Sequence, residues 1–250
     1  MYRTGASSGI GKACALEFAR HHANLILSAR RKDRLTSLVD EVNKINPKLN
    51  VHYVALDVRD RNQIKQALDE LPAGMKDIDI LINNAGLVHG LDTLERVKAE
   101  DVDDMINTNL IGAINMLQSI IPILRKRSTG HIINMGSIAG VEAYGNGAVY
   151  CATKHALNAI SKALLHELMD TPIRVSEIKP GMVETEFSLV RFNGDADRAS
   201  QVYQGMDPLT AQDIAETVSF VASRPPHVNI ADMVVLATSQ AAATKVHRRI

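Results

Sequence analysis

The 250-residue sequence predicts one α/β domain, a doubly wound central parallel sheet flanked by helices on both faces. Three observations predict it. Strand-like and helix-like segments alternate along the whole chain. Most of the strand-like segments are short, unbroken apolar runs, the pattern of strands buried on both faces. A glycine-rich turn with Gly5, Gly9 and Gly11 stands between the first short segment and the first helix.

Only Met1-Tyr2-Arg3 precedes Thr4, so the first strand is a stub with a charge where a central strand normally has Val, Ile or Leu. Either a truncated N-terminus or a short strand accounts for this. Extended segments then follow at 25–29, 51–56, 78–82, 132–135, 173–178 and 233–236. Helical patterns fill the intervals at 12–21, 32–46, 61–71, 101–126, 149–169 and 211–223. The stretch 183–208 has no obvious strand and is long for a connection, which marks it as a lid. No linker, repeat or composition break divides the chain, so residues 1–250 read as one domain.

With 46% hydrophobic and 22% charged residues, the composition excludes disorder and low-complexity scaffolds. The 28 Lys+Arg balance 28 Asp+Glu, so nucleic acid is not an expected partner. The basic clusters at 125–127 and 245–249 read as solvated faces. Cys14 and Cys151 lack zinc or CxxC spacing and read as free buried thiols of a reducing compartment. The nine histidines show no ligand spacing, so no metal is expected. No run reaches the ~18 apolar residues of a membrane span, and the N-terminus lacks the apolar core of a signal peptide. The expectation is a cytoplasmic protein with a small-molecule substrate.

Thr4-Gly5-Ala6-Ser7-Ser8-Gly9-Ile10-Gly11 opens the first helix. Its glycines allow a tight turn, and the helix N-terminus offers free N–H groups and a positive dipole end to a pyrophosphate. The second strand ends Ser28-Ala29-Arg30-Arg31, with two arginines and no acid among them. In a dinucleotide site that position meets the adenosine ribose, and guanidinium groups there suit a 2′-phosphate. Tyr150 and Lys154 are four apart and share one helical face, downstream of Ser137 at a strand end. A phenol of ordinary pKa ~10 is a poor base at neutral pH, and a neighbouring ammonium lowers it.

The G-x3-G-x-G spacing, Asn83-Asn84-Ala85-Gly86, Ser137 and Tyr150-x-x-x-Lys154 occur in this order over essentially the whole chain. Together they resemble the classical short-chain dehydrogenase/reductase family. The resemblance implies a Rossmann-type fold and NADP as cofactor. It assigns Gly5, Ser7, Ser8, Gly9, Ile10 and Gly11 to the pyrophosphate, and Arg30 and Arg31 to the 2′-phosphate. It assigns Asp57 to the adenine, and Asn84, Ala85 and Gly86 to the adenosine ribose. Pro180, Gly181, Val183 and Thr185 fall at the nicotinamide carboxamide, and Lys154 beside Tyr150 at its ribose.

The implied catalytic residues are Asn109, Ser137, Tyr150 and Lys154. Tyr150 moves the proton, Ser137 polarises the substrate carbonyl, and Asn109 completes a water relay to Lys154. The segment 184–191, with the tail at Gln240, resembles the family's NADP-dependent 3-hydroxy acid dehydrogenase group. That group oxidises serine, L-allo-threonine and 3-hydroxy acids such as 3-hydroxypropanoate, and reduces malonic semialdehyde. Arg191, with Ser137 and Tyr150, is then the substrate-contacting set. The alternatives are a generic carbonyl or 3-oxoacyl reductase with a longer apolar pocket, and a dinucleotide-binding regulator without turnover. The helices at 101–126 and 149–169 carry more apolar positions than one sheet-facing stripe needs, as at Ile111, Ile114, Leu117, Ile120, Ile121, Leu164 and Leu165. Similar enzymes pair these helices, so a homotetramer is expected.

Overall fold

The computed structural model describes residues 1–249. In chain order the first half comprises β1 (Tyr2–Thr4), α1 (Gly9–Arg20), β2 (Leu25–Ala29), α2 (Lys32–Ile45), β3 (Val51–Ala55), α3 (Arg61–Asp69) and β4 (Ile80–Asn83). Then come α4 (Ala99–Ile106), α5 (Gly112–Arg127), β5 (Gly130–Met135), α6 (Ala148–Glu167) and β6 (Ile173–Pro180). The chain closes with β7 (Val183–Glu184), α7 (Glu186–Arg191), α8 (Ala196–Gln201), β8 (Leu209–Thr210), α9 (Ala211–Ala222) and β9 (Asp232–Val235). Seven strands form one parallel sheet in the order β3-β2-β1-β4-β5-β6-β9, the predicted fold class. The winding reverses between β1 and β4, and the crevice at their carboxyl ends is where such sheets bind ligands.

The unbroken apolar runs have a simple cause. Successive strand side chains alternate faces, and both faces here are covered. Leu25 and Leu27 pack with Leu35, Leu38, Ile214 and Val218 on the side of α1, α2 and α9. Ile26, Leu81, Ile132 and Val175 pack with Ile64, Met116, Ile120 and Leu164 on the side of α3, α5 and α6. Burying one such side chain contributes roughly 1.5–3 kcal/mol, so no polar alternation survives in these strands.

The stub strand is central. Tyr2 pairs with Ile26 on one side and Leu81 on the other, and all three residues of β1 are buried. Arg3 does not reach solvent: Nη2 donates to the Ile10 carbonyl at 2.9 Å, while Nε and Nη1 have no partner. Burial lowers its pKa, against the pull of the Cys14 thiol.

Three expectations change. The stretch 101–126 is not one helix, because a π turn at Asn107–Ile111 separates α4 from α5. Its cause is tertiary. The Asn109 amide exchanges hydrogen bonds with the Leu87 backbone, and at Gly112 a Cβ would stand 2.5 Å from Val58 Cγ2. The lid at 183–208 is ordered: β7 pairs with β8, and α7 and α8 lie between them, started by the Thr185 and Asp195 side chains. Ladders of two residues leave no periodicity to read. Finally, Leu117, Ile120 and Leu164 face the core, which leaves Ile106 and Ile111 as exposed apolar residues on α4 and the turn.

Two unpartnered guanidinium donors in a dry site each cost about 1–3 kcal/mol. Arg3→Leu should therefore stabilise the protein by about 1–3 kcal/mol, raising the midpoint of thermal unfolding by several degrees. A lowered midpoint would show that the bond to Ile10 outweighs the burial of the charge.

Candidate active site

The site is built on strand ends. After β1, Gly5 (φ 64°) and Gly9 (φ 49°) take left-handed backbone, which glycine adopts without a Cβ clash. At Gly11 a Cβ would stand 1.8 Å from the Gly5 carbonyl oxygen, so only glycine lets α1 start on this loop. Ser8 precedes α1 without capping it by its side chain, which leaves first-turn N–H groups open to the crevice. The Ser7 and Ser8 hydroxyls instead accept from Arg31 Nη2 at 3.1 and 3.0 Å. Arg30 lines the same crevice and makes no ion pair among the described residues.

Thr4 ties β1 to β4: its hydroxyl oxygen accepts from the N–H groups of Asn84 (2.9 Å) and Ala85 (3.0 Å). The Asn84 amide donates back to the Thr4 and Gly5 carbonyls. Gly86 brings the next groups close, since a Cβ there would lie 3.3 Å from Asn109 Oδ1 and 3.8 Å from Lys154 Nζ. Asp57 lines the crevice with its carboxylate on Arg59, at 2.6 and 2.8 Å. Burial would raise the Asp57 pKa, and the Arg59 guanidinium overrides it and holds the carboxyl low.

Tyr150 and Lys154 lie on one face of α6, with Nζ 5.8 Å from the phenol ring centroid. Lys154 Nζ donates to the Met135 carbonyl at 2.8 Å, at the end of β5. Burial lowers its pKa to about 8, with Glu177 opposing. Ser137 follows β5, and its Oγ accepts from Ala139 N at 3.1 Å. Burial pushes the Tyr150 hydroxyl above its ordinary value, the Tyr144 phenol adds to this, and Ser137 and Arg191 pull it down. By itself the protein thus holds Tyr150 as a protonated phenol, a proton donor at neutral pH. The lowering expected from Lys154 is not among the influences on the phenol; Ser137 and Arg191 are the groups that pull it down, and desolvation outweighs them.

Asn109 is the one proposed residue that does not line the crevice. It is buried behind it, with Nδ2 donating to the Leu87 carbonyl at 2.8 Å and to Thr153 Oγ1 at 3.3 Å. Arg191 of α7 reaches in from the lid. Its Nη2 donates to the Tyr144 hydroxyl at 2.7 Å, its carbonyl accepts from Gly90 N, and its guanidinium carbon lies 6.0 Å from the Tyr150 ring centroid. Its buried Nε has no partner, and Arg191 forms no ion pair among the described residues.

All the site residues expected from the sequence except Asn109 open into one cavity of about 740 Å³, Ile10, Pro180, Gly181, Val183 and Thr185 among them. Sequence reasoning missed Tyr144, Phe187 and Tyr203, which stand at the substrate end in turns or short helices without a pattern. It also missed the tail. The basic run 245–249 is not a plain solvated face: Arg248 lines the cavity and donates to the Val202 carbonyl at 2.9 Å.

A family model described as short chain dehydrogenase matches residues 1–194. The chain belongs to the short-chain dehydrogenase family. This short-chain dehydrogenase is 44% identical over 247 residues to the NADP-dependent 3-hydroxy acid dehydrogenase of Schizosaccharomyces pombe, covering 98% of this chain and 95% of that one. It is 40% identical to the enzyme of the same name from Escherichia coli K12, covering 98% of each chain. Among solved structures, the closed form of serine dehydrogenase complexed with NADP+ superposes with a TM-score of 0.93 at 40% identity, covering 100% of both chains. Among the described residues, no helix is long and apolar enough to cross a membrane.

Proposed function

We propose that this short-chain dehydrogenase moves hydride between NADP(H) and a small 3-hydroxy acid of the serine, L-allo-threonine or 3-hydroxypropanoate type. One observation carries the reading: a guanidinium with an unpartnered buried donor, Arg191, shares a cavity with Ser137, Tyr150 and Lys154. A buried donor without a partner costs about 1–3 kcal/mol, and a substrate carboxylate would offset that cost. A generic carbonyl or 3-oxoacyl reductase has no use for such a cation. The relatives named as NADP-dependent 3-hydroxy acid dehydrogenases, and the serine dehydrogenase bound to NADP+, support the same class.

The residues present fit the cofactor. The glycine cradle at Gly5, Gly9 and Gly11 and the open first turn of α1 suit a pyrophosphate. Arg30 and Arg31 would hold the 2′-phosphate, Asp57 and Asn84 to Gly86 the adenosine, and Pro180, Gly181, Val183, Thr185 and Lys154 the nicotinamide end. When bound, the dinucleotide supplies the hydride donor and acceptor. In reduction, Ser137 donates a hydrogen bond to the substrate carbonyl oxygen, and Tyr150 delivers its proton to that oxygen as the alkoxide forms. Lys154 stabilises the phenolate left behind, and Asn109 with the Leu87 backbone connects Lys154 to water.

The same proposal includes a homotetramer in a cytoplasmic setting. Exposed Ile106 and Ile111 beside half-buried Ile114 and Ile121 support self-association, and the free buried thiols Cys14 and Cys151 support a reducing compartment.

Tyr150→Phe removes only the proton donor. Turnover followed by NADPH absorbance should disappear while NADPH binding, titrated by fluorescence, stays within about twofold of wild type. Wild-type rates in that variant would sink the mechanism. Arg30→Asp places a repelling charge at the 2′-phosphate, so the ratio of NADP(H) to NAD(H) efficiency should fall at least tenfold. Equal losses for both cofactors would assign the phosphate elsewhere. Arg191→Ala should cost about 1.5–3 kcal/mol, roughly 10- to 150-fold in kcat/KM, for 3-hydroxy acids and spare neutral alcohols. If acids and alcohols suffer alike, Arg191 shapes the lid and does not read the carboxylate.

A further inference from the structure

One row of paired positions crosses the sheet under α6. Asn83 pairs with Asn134, Asn134 with Glu177, and Glu177 with Asp232. Residues paired in parallel strands share a face, so four polar side chains occupy one line where a doubly covered sheet is normally aliphatic. Asn134 Nδ2 donates to Ser161 Oγ on α6, 3.0 Å away. Lys179, two residues beyond Glu177, turns to the same face. Its ammonium pairs with Asp232 and lies 3.9 Å from Glu177 Oε2.

Glu177 is 2% exposed, and its Oε1 has no hydrogen-bond partner. Gly136 makes the room for it: a Cβ there would stand 2.3 Å from that oxygen. Gly136 is bonded on one side to Met135, whose carbonyl holds Lys154, and on the other to Ser137. The carboxyl therefore lies directly beneath the segment that connects these two groups. The charged groups facing it are Lys179 on its own strand, Asp232 on β9 and Lys154 on α6. Those facing Lys154 are Glu177 from β6 and the Tyr150 phenol on its own helix. The β5 strand presents only the Met135 carbonyl and uncharged side chains.

We propose that Glu177 is a positioning residue for hydride transfer, whose carboxylate, seated in the space left by Gly136, keeps the buried Lys154 ammonium charged and bonded to Met135. This rests on the reading of Tyr150 and Lys154 given above. An ammonium out of water loses its hydration, and one carbonyl replaces only part of it. Burial lowers Lys154, and Glu177 is the group that acts against that fall. Glu177 is itself pushed up by burial, and Lys179 is the first group to draw it back down. Lys179 is thus the support that lets a carboxylate stay in the core, against the like charge of Asp232.

The test is a direct titration of Lys154 in the full chain, by NMR of 13Cε-labelled lysine, with Lys154→Met used to assign the signal. In Glu177→Gln the Lys154 midpoint should fall by about one pH unit or more. The alkaline limb of the kcat–pH profile should move by the same amount, about a tenfold loss at the alkaline end. Glu177→Asp keeps the charge and should restore most of both. Gly136→Ala pushes the carboxylate aside and should shift the midpoint in the same direction, which keeps the test open if the Gln variant does not fold. A Lys154 midpoint and a pH profile unchanged in folded Glu177→Gln or Gly136→Ala would overturn the proposal. That result alongside an inactive Tyr150→Phe would remove this inference alone, whereas an active Tyr150→Phe would remove the catalytic reading on which it rests.

Discussion

The parallel ladder of β1 is paired on both sides, to β2 and to β4, and the rest of the site is positioned from it. Thr4 ends this strand, and its hydroxyl oxygen takes the N–H groups of Asn84 and Ala85, so two strand ends are locked at the point where the winding reverses. The glycine loop leaves from one of these ends and the segment Asn84-Ala85-Gly86 from the other. Three residues suffice for a central strand because both neighbours supply the hydrogen-bond partners, and burial of Tyr2 closes the core below. The charge carried at Arg3 is a local cost that the ladder tolerates.

The proposed catalytic and positioning residues lie where the molecule accepts polar groups inside. Lys154, Asn109, Glu177 and Lys179 are all buried, and Lys154, Asn109 and Lys179 have partners drawn from distant parts of the chain. The π turn belongs to the same pattern. One added residue per turn lets the Asn109 amide face the Leu87 backbone, a placement that a regular helix through 101–126 would not give. The desolvation that raises Tyr150 and lowers Lys154 moves the two groups apart in pKa, because burial disfavours the charged form of each.

The substrate end is assembled from pieces that share no continuous sequence. Tyr144 precedes α6, Arg191 and Phe187 come from α7, Tyr203 follows α8, and Arg248 belongs to the tail. Glu186 fastens this lid to the adenosine side through Arg34, at 2.5 Å, and more loosely through Arg31. Those pairs are half exposed and individually worth little. The lid is held by several such contacts together with the β7–β8 pairing and the tail's bonds to the Val202 carbonyl.

The fold class, six of the seven strands and the main helices were legible in the sequence, because burial on both sheet faces writes itself as unbroken apolar runs. The glycine loop and the placing of Ser137, Tyr150 and Lys154 on one cavity were legible too, since glycine and these side chains recur at fixed spacings along one strand end or one helix face. What the sequence could not carry depends on contacts between distant segments. The π turn at Asn109, the order of the lid and the tail over the cavity leave no local period. The polar row Asn83, Asn134, Glu177 and Asp232 is scattered over about 150 positions and becomes a row only when the strands align. By itself the sequence determined the family, the fold class and the spacing of the reactive side chains. The tertiary structure alone decided how far each charged group is withdrawn from water, because desolvation depends on neighbours that only folding brings together.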